Sequence, residues 1–60
     1  MNTLTFGTSA RDGRALDRLM GSVEPGDVES IRSHGGAVTV VLGAERAPPA
    51  PVRRFLAPVQ

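Results

Sequence analysis

The 60-residue chain contains no cysteine and no lysine, and it has a single histidine. Without cysteine there is no disulfide to staple a small fold, and zinc frameworks built on four cysteines or on mixed cysteine and histidine are excluded. The one imidazole, His34, cannot hold a metal without two or three partner ligands. Absence of cysteine also fits a reducing compartment. No stretch approaches the ~18 apolar residues of a membrane span, and the first residues lack the basic-then-apolar pattern of a signal peptide. The expectation is a soluble cytoplasmic protein that does not engage a membrane.

Signatures of chemistry are also missing. Neither GxGxxG nor GxxxxGK[ST] occurs, so the glycines form no phosphate loop. The acids Asp12, Asp17, Glu24, Asp27, Glu29 and Glu45 are scattered, mostly at turns and helix ends, rather than paired for acid–base work. The reading is a non-enzyme with no cofactor, no metal and no small-molecule substrate. Every cation is an arginine, and the formal net charge is only +1. So even a balance implies no polyanionic partner by itself; only a local cluster of arginines could.

What is present reads as a small α+β domain. Residues 1–6 alternate, with Leu4 and Phe6 on one face and Thr3 and Thr5 on the other, as in a short strand. Gly7-Thr8-Ser9 breaks it, and Thr8 or Ser9 can cap a helix over residues 10–22, with Asp12 completing a loose capping box. Leu16, Leu19, Met20 and Val23 follow at i, i+3, i+4 and i+7, an apolar helical stripe. Glu24-Pro25-Gly26-Asp27 is a turn. A second strand over residues 28–32 has a poor period, because Val28 and Ile31 would face opposite ways. Gly35-Gly36 suits a two-residue hairpin loop leading into Ala37–Leu42, with Ile31 opposite Val40, Ser33 opposite Val38 and Glu29 opposite Leu42. Residues 1–46 thus form one domain. Ala47-Pro48-Pro49-Ala50-Pro51 reads as a polyproline-like linker, and residues 47–60 as a flexible tail.

About a dozen large apolar side chains precede that linker, few for a chain whose size already limits burial. With Val28 and Val41 expected on the second sheet face, the reading is a homodimer that shares its sheet. Arg11, Arg14 and Arg18 line one side of the helix, roughly opposite the apolar stripe, with Asp17 partly neutralising Arg14. Two of these arginines stand in the first turns, where the helix dipole disfavours positive charge. Guanidinium groups there suit phosphate, which makes Arg11, Arg14 and Arg18 candidates for a phosphate partner such as DNA; the alternative is a solvated face. In the tail, Phe55 and Leu56 between Arg53, Arg54 and the following apolar residues make a candidate partner-binding peptide.

The segments also resemble the small antitoxins of the Phd/YefM family. MNTLTFGTSAR resembles that family's opening strand and Ser-x-Ala-Arg helix start; Ala15-Leu16-Asp17-Arg18-Leu19 resembles its Leu-Asp-Arg-Val segment. Val28 to Leu42 resembles its hairpin, and Gly43-Ala44-Glu45-Arg46 the start of its toxin-binding tail. The resemblance implies a dimer that binds operator DNA through its N-terminal fold, represses its own operon and neutralises a toxin through its C-terminal segment. By position it adds Arg32, beside Arg11, to the DNA-binding residues. Val23-Glu24-Pro25-Gly26-Asp27-Val28-Glu29 with Gly35-Gly36-Ala37-Val38 resembles instead the swapped-hairpin AbrB/MazE antitoxins, which are also DNA-binding dimers. The remaining alternative is a microprotein that modulates one protein partner through residues 52–59.

Overall fold

A computed structural model of the chain describes residues 2–44 and 46–57. The elements run β1 (Asn2–Phe6), α1 (Ala10–Ser22), a 3₁₀ turn (Pro25–Asp27), β2 (Val28–His34), β3 (Ala37–Leu42) and a second 3₁₀ helix (Ala50–Phe55). The three strands form one antiparallel sheet in the order β1-β3-β2. The α+β class read from the sequence is the class observed.

Local chemistry accounts for each boundary. Ser9 is extended, and its Oγ accepts from the Asp12 N–H at 3.1 Å, satisfying one orphan donor of the helix start. The Asp12 carboxylate reaches further back and accepts from the Gly7 N–H at 2.6 Å. Gly35 and Gly36 adopt φ of 58° and 86°, the pair of positive angles that a two-residue hairpin turn requires. Ile31 pairs with Val40 and Ser33 with Val38, as expected.

The far end of the hairpin differs. A bulge between Val28 and Ser30 sets Val28, not Glu29, opposite Leu42. One extra residue switches the alternation. Val28 and Ile31 therefore lie on the same face, which removes the poor period of this strand. The inner face carries Leu4, Phe6, Val40 and Leu42, all buried under α1, whose Leu19 and Val23 complete the layer. Val28 packs at its border. The outer face holds Val41 among Thr3, Thr5, Thr39, Ser30 and Arg32, as expected, but Val28, expected beside Val41, is on the inner face.

The second difference is the proline-rich segment, expected to be a flexible tail. Over residues 46–57 it closes the core instead; Pro58–Gln60 lie outside the described residues. Pro48 and Val52 are buried, and the Phe55 ring stacks on Phe6 with centroids 4.6 Å apart. Leu56 then bridges to Leu4, and the Ala57 N–H donates to the Thr3 carbonyl at 2.8 Å, along the outer edge of β1. The prolines are compatible because Pro49 is extended and Pro51 stands in the first turn of the 3₁₀ helix, where no N–H is needed. With three residues per turn, Val52 and Phe55 eclipse each other and face the core together.

Arg46 fastens the start of this segment. Its Nη2 donates to the Ser22 carbonyl at the end of α1 at 2.7 Å, its Nε lies 3.8 Å from Asp27 Oδ2, and its carbonyl accepts from Asn2 Nδ2 at 2.9 Å. Among the described residues no helix is long and apolar enough to cross a membrane.

Candidate functional site

The side of α1 away from the sheet carries Arg11, Arg14 and Arg18. At 100° per residue they fall within an arc of roughly 60° and rise about 10 Å along the axis. The 3₁₀ helix lies beside α1 and adds Arg54. Together these four guanidinium-bearing residues line an open groove of about 210 Å³, whose remaining walls are Ala15, Pro51 and Val52. The groove floor is thus supplied by the segment that finishes the core.

Arg54 is held in place from below. Its guanidinium sits 4.8 Å from the centroid of the Phe55 ring, which itself stacks on Phe6. Such a cation–π contact contributes about 0.5–1 kcal/mol at an exposed site. It orients the charge without neutralising it.

No described carboxylate forms an ion pair with this cluster. The only ion pair among the described residues is Arg46 with Asp27, at the opposite end of α1. Asp17, expected to offset Arg14 in part, forms no such pair. Arg14 and Arg18 are like charges at i, i+4, an arrangement that destabilises a helix by a few tenths of a kcal/mol. At this surface the arginines raise the local positive potential instead of cross-linking the fold.

The lining is guanidinium and aliphatic only; it offers neither a nucleophile nor a general base. What it can do is bind anions, through planar forks that match phosphate oxygens.

The other residues singled out from the sequence are dispersed. Arg32 stands on the outer face of the sheet, opposite Thr39 and across the sheet from α1, so it does not join the helix arginines. Of the expected partner peptide, Phe55 belongs to the core margin and Leu56 to the β1 edge. Arg53 donates from Nε to the Pro48 carbonyl at 3.3 Å, which ties the 3₁₀ helix to its own entry, while Arg54 goes to the groove. Sequence reading missed Pro51 and Val52 as its walls. The signal available was the Val52–Phe55 spacing of three, hidden among prolines.

No protein-family model, no curated protein and no solved structure matches this chain.

Proposed function

We propose that the protein is a small DNA-binding module, in the manner of an antitoxin that acts as a homodimer and represses its own operon. The observation that carries this reading is the groove of four arginines from two elements, with no described carboxylate among them. Its length supports a polyanion: a rise of about 10 Å from Arg11 to Arg18 exceeds a single phosphate group and lets the arginines reach neighbouring phosphates of one strand. It is open and lacks the neutral donors that would enclose a single small phosphate ester. Contacts of this kind position a protein on the duplex backbone, and the affinity they supply is strongly salt-dependent.

Arg32 is left out of this interface because it lies on the other face of the sheet. The toxin-neutralising half of the reading rests on the resemblance of residues 1–46. Residues 52–56 would have to leave Phe6 and Leu4 to serve as an extended partner peptide, which disfavours the microprotein alternative and a toxin contact through those same residues alike. A cytoplasmic setting is part of the same proposal.

The test is binding of the full chain to a duplex from its own upstream region at low salt. Saturable binding is expected; no binding ends the repressor reading. Co-expression with the adjacent reading frame examines the antitoxin half, which requires that the neighbour arrest growth alone and not in the pair.

A further inference from the structure

The two edges of the sheet are not equivalent. Leu56 and Ala57 cover the β1 edge, whereas no described segment lies along β2. The pair His34–Ala37 closes a two-residue turn, so antiparallel alternation directs the main-chain groups of Ser30 and Arg32 toward β3. Those of Ile31 and Ser33 point outward, free to pair. Beside them runs an apolar groove of about 300 Å³ lined by Met20, Val23, Glu24, Pro25, Val28 and Ile31. Ile31 is 51% exposed and Met20 38%, two of the three large hydrophobic residues left in solvent among the described residues. An open edge flanked by exposed apolar side chains is a template for strand addition.

We infer that β2 pairs antiparallel with β2 of a second copy of this chain, about a two-fold axis through Ile31. The choice of occupant follows from the strand's self-complementarity. Glu29 and Arg32 lie on either side of Ile31, so reversal sets the acidic half of each strand against the basic half of the other. With Ile31 facing its counterpart, Ser30 meets Arg32 and no like charges stand opposite. Sliding by one residue toward the turn places Arg32 on Arg32, which is repulsive. Sliding the other way sets Ile31 against the bulged Glu29. The favoured register also seats the two Ile31 side chains between the two Met20-lined grooves and extends a core cluster of seven hydrophobic residues among those described. Both copies of α1 then lie on one side of a continuous sheet. The inference concerns the homodimer of the proposed function and does not depend on its DNA partner.

Sedimentation equilibrium of the full chain at micromolar concentration tests it, with circular dichroism as the check on folding. The wild type is expected at twice the 6.3 kDa of one chain. Ile31→Lys should raise the dimer dissociation constant at least about tenfold with an unchanged spectrum. Ser33→Pro removes an outward N–H without touching the groove and should do the same; it decides the matter if Ile31→Lys fails to fold. Thr5→Lys, on the outer face, should leave the dimer intact. A monomeric wild type overturns the inference, whatever else binds the edge. So does a dimer indifferent to both β2 variants, or one broken by Thr5→Lys alone.

Discussion

The β1 and β2 edges of the sheet receive opposite treatment from one chain. Along β1, twelve residues that begin at Arg46 and include three prolines before the 3₁₀ helix is complete return to cover the layer, leaving Leu4, Phe6 and Val52 inaccessible. Along β2, α1 presents Met20 to a groove that stays open, and Ile31 is half in solvent. One helical stripe thus spans a finished core and an unfinished one. Proline content is therefore a poor guide to which part of a small protein is a linker. Here the proline-rich part completes the fold, and β2, a strand of the sheet, is the one left bare.

The sharpest way to break the comparison is at Val52. Val52→Asp places an unpaired charge where the side chain is fully buried, at a cost of several kcal/mol. Against the ~5–15 kcal/mol total of a typical domain, a small one should lose its cooperative transition altogether. A Val52→Asp chain that melts like the wild type would place residues 47–57 outside the core. Phe55→Ala, at a half-buried ring, should cost about 2–3 kcal/mol in urea denaturation through lost area and stacking on Phe6. Gly36→Ala comes next, at about 1–2 kcal/mol. It strains a residue at φ 86° and brings a Cβ to 2.8 Å of Thr8 Cγ2. At the open edge the effect should nearly vanish: Met20→Lys should change monomer stability by no more than about 0.5–1 kcal/mol. A loss as large as that at Phe55 would mean the groove is core after all.

How much of this was legible in the sequence depends on whether a local signal carried it. The helix over Ala10–Ser22 was readable because Ser9, the i, i+3, i+4, i+7 stripe and the Glu24-Pro25-Gly26 turn all agree. The hairpin was readable near Gly35-Gly36, where turn type fixes register. It was not readable at Val28, because a bulge leaves no mark beyond a broken period. The 3₁₀ helix was hidden because prolines suppress helix and strand signals alike, while its three-residue period is too short to repeat. For the arginines, the helix spacing grouped Arg11, Arg14 and Arg18 correctly. Joining Arg54 to them and separating Arg32 required knowing where the chain returns, a tertiary fact that no spacing encodes.

The arginines repeat the contrast on a smaller scale: Arg46 is spent on a helix carbonyl and a carboxylate, while the four in the groove meet no described acid. The central claim is that those four contact phosphates. The most direct measurement is the salt dependence of duplex binding by the wild type and by the single variants Arg11→Ala, Arg14→Ala, Arg18→Ala, Arg54→Ala and Arg32→Ala. The slope of log K against log salt should flatten by about one unit for each of the first four and not for Arg32→Ala. A slope unchanged by the groove variants, or lost with Arg32 alone, would contradict it.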